Sequence, residues 1–161
     1  MIGQRLVITE IATGKVVGDI SFVGKDEPFG GSAGVEFSPD GKELAVLWHS
    51  LGKKKGGYGK VLVFDAATGK KLASHDLADV SGVDTGSKGG LEAIQWVPDG
   101  SGWLLFGSLL IDRQTGKELG RAGGDKKLAH LRRFVGPGHL TALKGGLDSA
   151  MSLEPAPAAR R

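Results

Sequence analysis

The chain contains no cysteine and no asparagine, and it has one tyrosine and two methionines among its 161 residues. Without cysteine it can form no disulfide, no thiolate metal site and no cysteine nucleophile. No apolar run approaches the roughly 18 residues that a transmembrane helix requires. The first residues, Met1 to Leu6, lack the charged and apolar regions of a signal peptide. These absences predict a cytoplasmic protein with no membrane segment.

Glycine is abundant instead. The chain has 28 glycines, 40% apolar residues and a net charge of +3. The apolar fraction is too high for a disordered chain, and the glycines are too irregularly spaced for collagen. The length suits one domain with a buried core. This composition is typical of an all-β protein with many turns.

One turn sequence occurs three times, each time after an apolar run. In its clearest copy, Val61 to Leu72, an apolar run ends at Asp65 and a second run follows Thr-Gly-Lys at residues 68–70. The aspartate can accept hydrogen bonds from backbone amides, and the glycine can take the positive φ that closes the turn. The other copies have Thr-Gly-Lys at residues 13–15 and 115–117. Each copy predicts a β-hairpin.

A second turn alternates with the first. Pro-Asp-Gly occurs at residues 39–41 and 98–100, and a weaker Gly-Pro-Gly occurs at 136–138. Proline presets φ, aspartate bonds back to the backbone, and glycine supplies the positive φ. Two alternating hairpin turns within a period of roughly 40 to 60 residues predict a repeated four-stranded unit.

In these repeats the sequence resembles the WD40 and YVTN-type β-propeller family. The resemblance rests on Phe37 to Lys42, Glu43 to Val46 and Val61 to Lys70, and it covers most of residues 6–143. The Trp-Asp dipeptide that names WD40 proteins is replaced by Phe-Asp and Ile-Asp, so the looser YVTN-like class is the better match. Quinoprotein-type propellers use a related Asp-x-x-Thr-Gly-Lys turn.

The resemblance implies an all-β partial propeller of about three blades. Residues 1–150 would form the repeat segment, and residues 154–161 a flexible tail. The predicted units are a half-blade at 5–22, a blade at 33–76, a blade at 91–121 and a half-blade at 131–153, with Ala150 to Leu153 as a candidate third strand of the last unit.

Such an arc is too short to close alone, because known propellers have about four to eight blades. The two half-blades are complementary, with the last two strands of a blade at one end and the first two at the other. Exposed blade faces and unpaired edges favour association. We therefore expect either a homodimer that closes a six-bladed ring or a longer parent protein that supplies the missing blades.

No catalytic, cofactor-binding or metal-binding residue is predicted. The Thr-Gly-Lys turns lack the upstream glycine and the following helix of a P-loop. The four histidines, at 49, 75, 130 and 139, have no metal-ligand spacing. Asp65 and Asp112 are interpreted as turn formers, and the tryptophans as core. The protein is therefore predicted not to be an enzyme and to hold no cofactor.

Basic residues concentrate on one predicted face. In a propeller, the connections between the second and third strands and those between blades share a face, which we call the loop face. Its segments carry more positive charge than the whole chain, and such a patch attracts acidic or polyanionic partners. The predicted binding residues are Lys53, Lys54, Lys55, Tyr58, Lys60, Lys126, Lys127, Arg132 and Arg133.

These features favour a non-catalytic protein-interaction or scaffold module that binds a protein partner through the basic loop face. No membrane or specific nucleic-acid partner is indicated. One alternative is a fragment of a quinoprotein-like or lactonase-like propeller enzyme, which would need acidic and amide ligands from several blades. Another is a degenerate propeller piece with no function of its own.

Overall fold

The described part of the protein is built entirely from antiparallel β-sheets. A computed structural model describes residues 5–21, 31–50, 58–77, 93–122, 132–136, 138–144 and 150–155. These residues form thirteen strands in four sheets and no helix. The described part therefore has no helix with the length and apolarity needed to cross a membrane. The prediction of an all-β chain with four-stranded antiparallel sheets is confirmed.

The sheets follow one another along the chain, and each is a meander of sequential strands. The first sheet is β1 (Arg5–Thr9) and β2 (Val16–Ser21). The second is β3 (Gly31–Phe37), β4 (Glu43–Ser50), β5 (Tyr58–Asp65) and β6 (Lys71–Leu77). The third is β7 (Ile94–Trp96), β8 (Gly102–Leu105), β9 (Leu109–Asp112) and β10 (Glu118–Arg121). The fourth is β11 (Arg133–Phe134), β12 (His139–Lys144) and β13 (Ala150–Pro155).

The two predicted turn sequences close the hairpins. Asp65 Oδ1 accepts hydrogen bonds from Thr68 N at 2.7 Å and Ala67 N at 3.1 Å. Asp112 Oδ1 accepts the equivalent bonds from Thr115 N and Gln114 N at 2.7 and 3.1 Å. The interpretation of both aspartates as turn formers is therefore confirmed.

Both hairpin turns of a four-stranded meander lie at the same end of the sheet, and here they are bonded to each other. The amide of Ala66 donates to the carbonyl of Lys42 at 2.8 Å in the second sheet, and the amide of Arg113 donates to the carbonyl of Ser101 at 2.9 Å in the third. We call this end the turn face, formed by residues 38–42, 66–70, 97–101 and 113–117. The repeated bond gives both sheets the same rigid end.

Apolar cores join successive sheets. Ile20 of β2 packs with Leu44, Val46, Leu62 and Phe64 of the second sheet. A larger core joins the second and third sheets. Its members are Ala45, Leu47, Val61, Val63, Leu77, Ala93, Ile94, Trp96, Trp103, Leu105, Phe106, Leu109 and Ile111. Burial of these apolar side chains is the main stabilising contribution to the stack.

A buried arginine joins the third and fourth sheets. Arg132, only 3% exposed, donates from Nη1 to the carbonyl of Gly107 at 3.1 Å. Its own carbonyl accepts a bond from Gln95 Nε2 at 2.6 Å, and Gln95 Oε1 accepts the amide of Phe134 at 3.4 Å. Buried polar groups are tolerated when they are paired in this way. Hydrogen bonds between described residues therefore cross this joint, and Leu140 of the fourth sheet is also fully buried.

The candidate third strand at residues 150–153 is present as β13, which extends from Ala150 to Pro155. It pairs with β12 along all six residues from His139 to Lys144, while β11 occupies the other edge of β12. Completing the blade by pairing β1 with β12 would require that second edge. The expected complementarity of the two half-blades is therefore corrected, because β13 takes the position that the hairpin β1–β2 would fill.

Candidate functional site

Most of the predicted binding residues fall outside the described structure. Five of them lie outside the described residues: Lys53, Lys54, Lys55, Lys126 and Lys127. Tyr58 is the first residue of β5, but its side chain is not among those described. Three of the nine predicted residues therefore have described side chains: Lys60, Arg132 and Arg133.

These three side chains do not form a common exposed basic surface. The Lys60 amine lies 3.7 Å from Asp76 Oδ1, and its side chain is 16% exposed. Arg132 is buried in the joint between the third and fourth sheets, which corrects its placement on an exposed face. Arg133 is half-buried and donates from Nη1 to the carbonyl of Arg132 at 2.9 Å. Within the described residues, the positive charge of the loop face is thus largely engaged inside the protein.

A groove is present on the opposite end, the turn face. It lies between the Pro-Asp-Gly turn of the second sheet and that of the third, and its volume is about 430 Å³. This volume falls within the range of about 300 to 1,000 Å³ typical of small-ligand sites. The groove is lined by Ser38, Pro39, Asp40, Glu43, Trp96, Pro98, Asp99, Gly100 and Arg113. Proline, aromatic and charged side chains therefore meet in one concave surface.

One wall of the groove is a bidentate ion pair between the two sheets. Arg113 donates from Nε to Glu43 Oε2 at 3.1 Å and from Nη2 to Glu43 Oε1. The Arg113 Cζ lies 5.9 Å from the centroid of the Trp96 ring, within cation–π range. Since the side chains are only 39% and 20% exposed, the pair is partly shielded from water. The guanidinium is therefore fixed by a carboxylate on one side and an indole on the other.

The two aspartates on the rims of the groove belong to the Pro-Asp-Gly turns. Asp40 Oδ1 accepts the hydroxyl of Ser38 at 2.7 Å and the amide of Lys42 at 3.1 Å, and these bonds hold the pKa of Asp40 below its usual value. Asp99 Oδ1 accepts the amide of Ser101 at 2.9 Å, and hydrogen bonds from Ser101 likewise lower the pKa of Asp99. Both carboxylates are therefore ionised at neutral pH.

Below the groove, Glu36 ties β3 to β7. Its carboxylate accepts the backbone amide of Trp96, and its carbonyl accepts the indole N–H of Trp96 at 3.1 Å. Burial raises the pKa of Glu36 above its usual 4.5, although the Trp96 amide and the charge of Arg133 act in the opposite direction. These two bonds hold the Trp96 ring at the floor of the groove.

Replacing Glu36 with glutamine is expected to stabilise the fold at neutral pH. Because the pKa of Glu36 is higher in the native state than in the unfolded chain, its ionised carboxylate destabilises the fold. This cost is absent at pH values below the pKa of the unfolded chain and is complete at pH values above the native pKa. The variant Glu36→Gln should need more urea to unfold than the parent at pH 7, and the two midpoints should converge below pH 4. The turn aspartates are common to both proteins, so their titration cancels. A parent that is the more stable of the two at pH 7 would contradict the expectation.

The groove was missed by sequence reasoning because its members come from distant turns. Glu43 and Arg113 are 70 positions apart, and Glu36 and Trp96 are 60 apart. Arg113 occupies a variable position of the Asp-x-x-Thr-Gly-Lys turn, so its sequence context gave no functional signal. A signal was available in the repeats. Glu43 follows the first Pro-Asp-Gly turn and Trp96 precedes the second, so stacking the two repeats places both residues at the same end of adjacent sheets.

The carboxylates of the groove act as hydrogen-bond acceptors. They accept bonds from the turns or from Arg113, and lowered pKa values make Asp40 and Asp99 poor proton donors. Among the described residues, no group of three or more histidine, cysteine, aspartate or glutamate side chains could hold a metal ion. Comparison with protein-family models found none that matches the chain, and comparison with curated proteins found no similar sequence.

Proposed function

We propose that the chain is a non-catalytic protein-interaction module built of WD40-like blades, and that it binds a segment of its partner in the groove on the turn face. The observation that carries the proposal is the groove itself, where Pro39, Pro98, Trp96 and the Glu43–Arg113 pair surround a cavity of about 430 Å³. Concave surfaces in which fixed polar groups converge are common sites of recognition, and this groove is lined mainly by polar and charged residues.

The rigidity of the groove supports this role. Its walls are hairpin turns bonded to one another by the Ala66–Lys42 and Arg113–Ser101 backbone bonds, and its floor rests on the core between the second and third sheets. A site that is rigid before binding loses little conformational entropy when its ligand arrives. Binding loops held on a stable scaffold serve recognition for the same reason.

The order of the sheets supports the blade architecture. Two meanders of four strands share one topology, with the same two turn sequences at the same end of each sheet. Each successive sheet packs on the previous one, as blades do in a propeller. An arc of about three blades remains the architecture that we propose, with β13 extending the last sheet.

A peptide-display selection against the immobilised full chain tests the proposal. Peptides that are enriched should shift the indole N–H resonance of Trp96 and leave that of Trp48, which is 1% exposed in the second sheet, unchanged. The shift is expected because a segment seated in the groove lies against Trp96. Failure to enrich any peptide, or enriched peptides that leave Trp96 unchanged, would contradict binding at this site.

A further inference from the structure

The charge of the groove is opposite in sign to that of the chain. Three carboxylates line it, from Asp40, Glu43 and Asp99, against the single guanidinium of Arg113. The chain as a whole carries +3. A concave site with low-dielectric walls concentrates the field of the charges that line it. The excess of carboxylates on a basic protein favours a ligand that carries positive charge.

The single cation that lines the groove is already neutralised. Arg113 uses Nε and Nη2, one edge of its guanidinium, to bind both oxygens of Glu43 in a bidentate pair. An anion could meet only the remaining donors of the guanidinium, in a groove that the Asp40 and Asp99 carboxylates also line and where they would repel it. The Glu43–Arg113 pair therefore makes the groove a poor site for phosphate or for an acidic segment.

The rim carboxylates, in contrast, can still accept bonds. The backbone amide of Ser101 bonds to Asp99 Oδ1, and Ser38 and Lys42 bond to Asp40 Oδ1, so a carboxylate with about four lone-pair sites keeps acceptor capacity in each case. The Lys42 amine lies 3.7 Å from Asp40 Oδ2 with its side chain 80% exposed, a surface pair of small energy that a bound cation can replace. Asp99 makes no ion pair with another described residue.

The apolar part of the lining suits the stem of a long basic side chain. Pro39 and Pro98 belong to the same two turns as the rim carboxylates. Arginine and lysine bury their methylene groups on such surfaces while the charged end meets a carboxylate. Arg113 of the chain itself already lines the groove with its guanidinium between Glu43 and Trp96.

From these contacts we infer that the groove recognises an arginine-bearing segment of a partner protein, whose guanidinium is bound by Asp99 and Asp40. The inference rests on the proposed function and adds the chemistry of the ligand. Arginine is favoured over lysine because its planar fork can donate two bonds to one carboxylate.

The test uses three fluorescein-labelled peptides that differ at two central positions, which carry arginine, citrulline or glutamate. Citrulline has the shape of arginine without its charge. Fluorescence anisotropy with the full chain should show binding of the arginine peptide, at least about 10-fold weaker binding of the citrulline peptide, and none of the glutamate peptide. Binding of the arginine peptide should also weaken as salt is added.

Three asparagine variants locate the binding. Asp99→Asn and Asp40→Asn keep the Oδ1 acceptor of the turn and remove the charge, and Asp99→Asn should weaken the arginine peptide about 10-fold. Asp65→Asn is the matched control, because Asp65 makes the same kind of turn bonds through Oδ1 but does not line the groove. Its affinity for the peptide should equal that of the parent.

The inference is overturned if the citrulline peptide binds as well as the arginine peptide, if Asp99→Asn and Asp65→Asn have the same effect, or if no arginine peptide binds. The proposed function is judged separately by the display selection. Enriched peptides that shift Trp96 but carry no basic residue would retain the interaction module and reject its preference for arginine.

Discussion

Replacing Gly102 with alanine is expected to destabilise the protein by about 3 kcal/mol, the upper end of the usual cost of overpacking. A Cβ atom at this position would lie 2.1 Å from the carbonyl oxygen of Ile111 on the neighbouring strand. The obstacle is a backbone atom in a paired strand, so it cannot rotate away as a side chain could. Strands β8 and β9 would have to separate at the point where Gly102 faces Asp112.

Urea unfolding of Gly102→Ala and Gly100→Ala measures this effect. Gly100 lies two residues away with φ of +74°, and a Cβ there meets nothing within 4 Å, so its replacement costs only the left-handed backbone penalty of about 1 kcal/mol. The second sheet allows a comparison between repeats. Its residue equivalent to Gly102 is Glu43, so the same position carries a full side chain there. Equal midpoints for the two alanine variants would refute the steric explanation.

Alanine at Gly116 is expected to cost about 2 kcal/mol more than alanine at the equivalent glycine of either other Thr-Gly-Lys turn. The φ values of Gly14, Gly69 and Gly116 are 68°, 68° and 67°, so the left-handed backbone penalty is the same at all three. The surroundings differ, since a Cβ at Gly116 would lie 2.8 Å from both Cβ and Nδ1 of His75.

The three turns therefore form a matched series for unfolding experiments. A Cβ at Gly14 meets nothing within 4 Å, and one at Gly69 makes ordinary contacts beginning at 3.6 Å. The double variant Gly116→Ala with His75→Ala should recover part of the additional loss, because alanine removes the imidazole but keeps the His75 Cβ, and a double-mutant cycle would register this recovery as coupling. Three equal losses across the series, or no coupling to His75, would show that the contact between the second and third sheets at this point is not tight.

The repeated turns could be predicted from the sequence because their information is local. Proline, aspartate and glycine each act on backbone atoms within three residues, so six letters suffice to identify a hairpin. The same local information predicted that Asp65 and Asp112 form turns and that four-stranded units lie at 33–76 and 91–121, where the structure has the second and third sheets.

The groove and the buried arginine could not be predicted, because each depends on how sheets meet. The adjacent arginines at 132 and 133 resemble an exposed basic pair in sequence, and the carbonyl of Gly107, which accepts a bond from the buried guanidinium of Arg132, is distant in the chain. Likewise, Arg113 becomes part of a site only when Glu43 of the previous sheet lies beside it. Contacts between residues 25 to 70 positions apart carry no local sequence signature.

The different chemistry of the joints between sheets has a consequence for cooperativity. The described contacts link each sheet to its neighbours in the chain, as in a one-dimensional array, where stability is approximately a sum of unit and interface terms. Among the described residues the central interface holds the larger apolar cluster, whereas hydrogen bonds of Arg132 and Gln95 cross the last joint. We therefore expect variants that lose these bonds to release the fourth sheet before the central core unfolds, so that the groove stays with the two central sheets.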